Sequence, residues 1–184
     1  PIDLCALAIN LGCSFVARSF SGSKKQLTAI VKAAMSHKGF ALIDVISPCV
    51  TFNNNDESLK SYGYVKGNTS ELHSVGYIPH FSPVEQVEVP AGSYRDITLH
   101  DGSTMRLETI SDEHDISDAV AALAAIHEAD AERKHVMGLL YFDGEKPALE
   151  DELNLHDTPL VEMQEDMLRP SQEDLDGVIA SLRG

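Results

Sequence analysis

The sequence lacks any apolar run that approaches the roughly 20 residues needed to cross a bilayer. It also lacks an initial methionine, and its start, Pro1-Ile2-Asp3, has none of the basic and apolar pattern of a secretory signal. These absences argue against a membrane-spanning or secreted protein. We therefore expect a cytoplasmic protein whose first residue here is not its biological start.

Cysteine is scarce, with only Cys5, Cys13 and Cys49 present. An odd number of cysteines without a signal peptide argues against a disulfide framework. Their spacing matches neither a CxxC zinc site nor a ferredoxin cysteine run. Because a [4Fe–4S] cluster requires four thiolates, any cluster bound here would have to be shared with residues outside this chain.

Acidic residues are few in the first half of the chain and abundant in the second half. Residues 1–92 carry seven acidic and seven basic residues, whereas residues 93–184 carry 22 acidic and seven basic residues, and hence the whole net charge of −15. This acidic half of the chain repels phosphate backbones and anionic membranes. We therefore expect neither nucleic acid nor a membrane as partner. Such a surface more often keeps a protein soluble than binds a ligand.

Helices and strands alternate in the first 53 residues. The pattern predicts a helix over residues 3–11 with Asp3 as its N-cap, a strand over 14–20, a helix over 24–37 and a strand over 40–46. The apolar run of this second strand is typical of a strand buried on both faces of a parallel sheet. Two strands cannot bury such a sheet, which we expect to continue upstream or in a partner chain. The predicted fold class is α/β, with residues 1–53 ending a doubly wound domain.

Residues 54–184 are predicted to form an α+β C-terminal extension. Residues 49–83 have no sustained periodicity, which is typical of a segment that wraps a neighbour or lines a site. The sequence then predicts a β hairpin, a helix, a strand and acidic helices, within residues 84–110, 115–133, 136–142 and 149–184, respectively. The last helix begins with a capping box at Ser171, and its apolar stripe predicts a docking face for the body of the protein or a partner subunit.

The most informative stretch is Ser47-Pro48-Cys49-Val50-Thr51-Phe52-Asn53, which directly follows the second predicted strand. Ligands of α/β sheets bind at the carboxyl ends of strands. A thiolate with nearby amide donors suits an iron–sulfur cluster. From the residues alone, Cys49 could be a buried apolar residue, which is the commonest case, a metal or cluster ligand, or a nucleophile.

Three stretches carry a resemblance to a known family: residues 15–18 (Phe-Val-Ala-Arg), 34–40 (Ala-Met-Ser-His-Lys-Gly-Phe) and 47–53. They resemble the β subunits of 2-oxoacid:ferredoxin oxidoreductases. Residues 114–115 and 138–141 are similar to the carboxy-terminal extension of the same subunits, so the resemblance covers nearly the whole chain. The length of the extension favours the branch that uses 2-oxoglutarate.

The resemblance implies a function. In that family the β subunit binds thiamine diphosphate and Mg²⁺ and holds a [4Fe–4S] cluster, so residues 1–53 would end the thiamine-diphosphate-binding domain. The enzyme, completed by an α subunit, oxidatively decarboxylates a 2-oxoacid to its acyl-coenzyme A and passes electrons to ferredoxin. Cys49 matches the fourth cluster ligand. The other three ligands and the Gly-Asp-Gly diphosphate motif are absent from this sequence, so we expect no catalytic residue here and no activity from the chain alone.

Two other functions stay open, a non-catalytic interaction or scaffold module and a thiamine enzyme without a cluster. Arg18 could meet a substrate carboxylate or a coenzyme A phosphate, although a salt bridge to a partner subunit is the commoner role. His37 and Lys38 are predicted to complement a helix C-terminus, with an anion site as the alternative. Asp115 is predicted to cap the helix that follows it.

Overall fold

The computed structural model describes residues 2–82, 94–109 and 114–183, and it divides the chain into two compact units, Pro1–Ala148 and Leu149–Gly184. In its described residues, the first unit holds four helices and six strands: α1 (Leu4–Asn10), β1 (Phe15–Phe20), α2 (Lys24–Ser36), β2 (Ala41–Ile46), α3 (Tyr62–Gly67), β3 (Thr69–Ile78), β4 (Tyr94–Thr98), β5 (Thr104–Thr109), α4 (Ala119–Ala131) and β6 (His135–Phe142). The second unit holds α5 (Leu149–Glu152), a 3₁₀ turn (Leu160–Glu162), α6 (Glu165–Leu168) and α7 (Gln172–Arg183).

The six strands of the first unit form one mixed sheet in the order β2-β1-β6-β3-β5-β4. The pairs β1–β2 and β3–β6 are parallel, and the other three pairs are antiparallel. The predicted α/β class is confirmed. Strands from both sides of the domain boundary predicted after residue 53 belong to this one sheet, and the boundary itself stays a prediction.

The four elements predicted for residues 3–46 are confirmed to within one or two residues at each end. Asp3 caps α1 as predicted, because its carboxylate accepts a hydrogen bond of 2.9 Å from the Ala6 amide. Ser23 occupies the N-cap position of α2, but its side chain makes no capping hydrogen bond. Local signals in the sequence therefore position both helices correctly.

β1 is buried on both faces, whereas β2 is not. Phe15 and Ala17 join a core cluster with Ile30 of α2, while Val16 points to the other face and joins a cluster with Ile126 of α4. β2 is the outer strand of the described sheet and is only partly buried. The double burial predicted for residues 40–46 stays a prediction, because it was expected of a sheet that continues outside this chain.

Residues 49–83, predicted to be irregular, contain α3 and the ten-residue strand β3. β3 pairs with β6 through an irregular register at His73, opposite Gly138. Gly138 has a φ of +95°, and a Cβ at this position would overlap the backbone carbonyl of His73. Only glycine suits this close approach of two strands.

Helix α4 begins later than predicted. Its N-cap is Asp118, whose carboxylate accepts hydrogen bonds from the amides of Val120 and Ala121. Asp115 instead accepts hydrogen bonds from the Ser117 amide and hydroxyl, so the prediction that Asp115 caps the helix was wrong. Both aspartates are good N-caps in sequence terms, and only the path of the backbone decides between them.

The hairpin predicted at residues 100–103 is confirmed between β4 and β5, whereas its expected upstream part, residues 84–93, lies outside the described residues. The capping box of α7 is also confirmed, with reciprocal hydrogen bonds of 3.1 Å between Ser171 and Asp174.

Among the described side chains of the second unit none is buried. No helix in the described ranges is both long and apolar enough to cross a membrane.

Candidate functional site

Cys49 is an exposed thiol three residues beyond the carboxyl end of β2. We call residues 47–53 the cysteine loop. The loop is closed by a hydrogen bond of 2.8 Å from the Asn53 amide to the Cys49 carbonyl. Hydrogen bonds from the backbone of Phe52 and then of Thr51 lower the pKa of the Cys49 thiol. The loop thus favours the thiolate, which is the form that binds metals.

Contacts of the neighbouring residues hold the cysteine loop. The side-chain oxygen of Asn53 accepts a hydrogen bond of 3.0 Å from the Ser58 hydroxyl. The side-chain oxygen of Asn54 accepts one of 3.0 Å from the amide of Tyr62, the first residue of α3. The side chains of Val50 and Phe52 are exposed, so the thiol is bordered by apolar surface.

Cys5 and Cys13 lie in a different environment, inside the hydrophobic core. Burial raises the pKa of the Cys5 thiol to about 12. Burial also raises the pKa of Cys13, whose Sγ donates to the carbonyls of Phe15 and Phe40 at 3.2 and 3.1 Å. Both cysteines are buried thiols that pack in the core.

Arg18 is buried, and it pairs with two carboxylates of its own chain. Its Nη2 donates to Asp3 Oδ2 at 2.5 Å, and its Nε donates to Asp44 Oδ2 at 2.8 Å. Asp44 lies directly opposite Arg18 in the β1–β2 register. The roles predicted for Arg18, binding a substrate carboxylate, a coenzyme A phosphate or a partner subunit, are replaced by this ion pair within the chain.

His37 does not supply the positive charge predicted for the end of α2. It is the C-cap residue, it is buried against the rings of Phe15 and Phe142, and its Nε2 lies 2.7 Å from Ser14 Oγ. Burial, and then the neighbouring His100, lower the pKa of His37. The neutral imidazole is therefore favoured, and aromatic packing explains this residue better than the helix dipole does.

The structure also brings together two histidines that the sequence did not link. His73 Nε2 lies 3.1 Å from His114 Nδ1, and burial lowers the pKa of both side chains. The residues are 41 positions apart, and only the pairing of β3 with its neighbours reveals their contact. In the described ranges no three His, Cys, Asp or Glu side chains are arranged to hold a metal ion.

No model of a protein family matches the sequence. Over 83 residues, it is 51% identical to the 2-oxoacid:ferredoxin oxidoreductase subunit beta of a Sulfolobus species, a match that covers 45% of this chain and 25% of that protein. It is 55% identical over 53 residues to subunit beta of 2-oxoacid:ferredoxin oxidoreductase 1 of Aeropyrum pernix, covering 29% of this chain and 17% of that protein. It is 34% identical over 76 residues to the 2-oxoglutarate synthase subunit KorB of Methanocaldococcus jannaschii, covering 39% of this chain and 28% of that protein.

Among solved structures, the fold is similar to that of a 2-oxoglutarate:ferredoxin oxidoreductase from Magnetococcus marinus with 2-oxoglutarate, coenzyme A and succinyl-CoA bound. The superposition has a TM-score of 0.54 at 22% identity and covers 98% of this chain and 44% of that chain. At this identity, the superposition shows a shared α/β fold.

The sequence matches are more specific than the fold. They confirm that the chain is related to the β subunits of these oxidoreductases. The matched part spans about a quarter of the length of the Sulfolobus relative.

Proposed function

We propose that this chain is part of the β subunit of a 2-oxoacid:ferredoxin oxidoreductase, and that Cys49 is one ligand of its [4Fe–4S] cluster. The observation that carries the proposal is an exposed thiol at the carboxyl end of a parallel strand, with the Phe52 and Thr51 amides favouring its thiolate. Thiolates are the ligands of such clusters, and hydrogen bonds to their sulfurs tune the reduction potential.

The chain fits this cluster as the source of one ligand. Cys5 and Cys13 are buried among carbonyl groups, so the other three thiolates come from outside this sequence. When bound, the cluster supplies one-electron transfer beside the thiamine cofactor. The part of this chain is to hold the sulfur of Cys49 in a closed loop and to direct amide donors toward it.

The other cofactors and partners belong to the complete enzyme in this proposal. Thiamine diphosphate and Mg²⁺ are assigned to no residue of this chain, because the sequence contains no Gly-Asp-Gly motif. The substrate is a 2-oxoacid, coenzyme A takes the acyl group, and an α subunit and ferredoxin are the partners, in the cytoplasm. A relative named as a 2-oxoglutarate synthase subunit and a similar fold solved with 2-oxoglutarate bound support 2-oxoglutarate as substrate.

Replacing Cys49 by serine in the assembled enzyme tests the proposal. Serine is a poorer cluster ligand, so we expect iron and acid-labile sulfide to fall and oxoacid-dependent dye reduction to decrease by about tenfold or more. Cys13→Ala is the matched control, because it removes a buried thiol that faces carbonyl groups. This variant should retain its iron, its acid-labile sulfide and its oxoacid-dependent dye reduction. Unchanged iron content and electron transfer in Cys49→Ser would refute the assignment.

The same preparations separate the two alternatives. A scaffold module predicts an assembled wild-type complex that contains no iron and shows no oxoacid-dependent activity. A thiamine enzyme without a cluster predicts that Cys49→Ala retains full activity. The proposal predicts iron in the wild-type complex and its loss in both Cys49 variants.

A further inference from the structure

A cavity of about 180 Å³ lies at the carboxyl end of β1, and nothing in the proposed function uses it. Its walls come from the end of β1, the first turn of α2, the end of α3 and the start of β3. The polar side chains on these walls include Ser19, Ser23, Gln26 and Lys66. Carboxyl ends of strands are the usual place for ligands of α/β sheets.

Two buried polar groups on the cavity wall have no hydrogen-bond partner among the described residues. Ser19 is 1% exposed, and its hydroxyl makes no hydrogen bond with any described residue. The side-chain amide nitrogen of Gln26 is buried and equally unpartnered within the described ranges. Native proteins rarely bury a hydroxyl or an amide without a partner, and such a pair of donors indicates that a bound group completes them.

The first turn of α2 adds positive potential to this cavity. α2 has 13 residues, its N-cap residue Ser23 makes no side-chain capping bond, and its first turn contains no acidic residue. The free amides and the dipole of such a helix end favour a bound anion. Lys24 and Lys25 lie in the same turn and strengthen the effect.

The other charged side chains on the wall largely offset one another. Arg18 lines the cavity, but Asp3 and Asp44 neutralise it. Glu71 also lines the cavity and opposes an anion, and its Oε1 accepts a hydrogen bond of 2.6 Å from the Ser74 hydroxyl. Lys66, which is exposed at the cavity, supplies a positive charge to offset Glu71.

We infer that this cavity binds a small oxyanion, of which a phosphate group is the best match. Ser19 and Gln26 donate from the wall, the first-turn amides of α2 donate from the helix end, and Lys66 supplies charge at the rim. The inference depends on the geometry around β1 and α2 and is independent of the role of Cys49.

Calorimetric titration of the full chain with inorganic phosphate at low ionic strength tests the inference. We expect saturable binding that is weakened about tenfold by Ser19→Ala and several-fold by Lys66→Gln. Lys60→Gln removes the same charge from a residue that does not line the cavity, and it should bind phosphate like the wild type. Because Ser19→Ala removes a hydroxyl without a partner, its melting temperature should equal or exceed that of the wild type.

Three results would overturn the inference. The first is no saturable binding of phosphate by the wild-type chain. The second is equal weakening by Lys60→Gln and Lys66→Gln, which would show a general charge effect and no built site. The third is binding of acetate at least as tight as that of phosphate, which would show that the cavity prefers a carboxylate to a phosphate group. If Ser19→Ala does not fold, the two lysine variants still decide between these outcomes.

Discussion

The cysteine loop and the core around β1 differ in how their polar groups are surrounded. In the core, Arg18 is paired with two carboxylates, and burial keeps the Cys5 thiol protonated. In the loop, Cys49 is exposed, and amide donors favour its charged form. The difference shows that a cysteine is structural in the core, where it is buried, and available for chemistry in the cysteine loop, where it is exposed.

The largest expected effect is on the core side of this comparison. Gly138→Ala forces a Cβ against the His73 carbonyl at a φ of +95°, so we expect the free energy of unfolding to fall by about 3–5 kcal/mol. Cys49→Ala should change it by less than about 0.5 kcal/mol, as at other exposed positions. Urea unfolding followed by circular dichroism measures both. Similar stability of the two variants would remove the contrast.

The thiols offer the second test. In folded, cluster-free protein we expect iodoacetamide to modify Cys49 about 100-fold faster than Cys5 or Cys13, because Cys49 is exposed and its pKa is lowered while burial raises the pKa of the other two. Peptide mass spectrometry of timed samples gives the three rates. In urea the rates should converge. Equal rates in the folded protein would contradict the contrast.

The buried ion pair is the third test. Arg18→Met leaves Asp3 and Asp44 without their partner, and because both carboxylates are partly exposed we expect a loss of about 2 kcal/mol, below that of a fully buried pair. Arg169→Met is the matched control, since Arg169 pairs with Glu165 on an exposed helix and should contribute less than about 0.5 kcal/mol. If the two variants lose the same stability in urea, Arg18 does not anchor the core.

The smallest effect is a pH dependence of stability. Burial lowers the pKa of His37, His73 and His114, so each histidine binds a proton more readily in the unfolded state. Stability is then fully present above the unfolded pKa of about 6.5 and is lost as the pH falls below it toward the folded values.

Urea midpoints at pH 7.5 and pH 5.5 measure this loss. His73→Gln should reduce the difference between the two midpoints, whereas His127→Gln, at an exposed position, should leave it unchanged. A midpoint that rises on acidification would show that the buried histidines do not behave as described.

The sequence predicted the elements whose signals are local. The caps Asp3 and Ser171 and the periodicity of α2 lie within a few residues of the helices that they define. The position of Cys49 after a strand was also predictable. The apolar run of residues 40–46 predicted the strand, and Pro48 indicated where it ends. The resemblance to the β subunits of 2-oxoacid:ferredoxin oxidoreductases was also found from the sequence, and the curated relatives confirm that similarity.

Contacts between distant residues could not be read from the sequence. β3 was missed because its partners β5 and β6 come later in the chain and its own residues do not alternate clearly. The partners of Arg18 lie 15 and 26 positions away and depend on the β1–β2 register. The amide donors around Cys49 depend on the turn of the loop, which residue types alone do not determine.

The central claim is that Cys49 binds the cluster, and labelling of its thiol in the assembled enzyme tests it most directly. Anaerobic alkylation before and after removal of iron by a chelator, followed by peptide mass spectrometry, reports which thiols the cluster covers. We predict that Cys49 is protected in the iron-loaded enzyme and reacts after chelation, while Cys5 and Cys13 stay unreactive in both states. Equal labelling of Cys49 with and without iron would contradict the account.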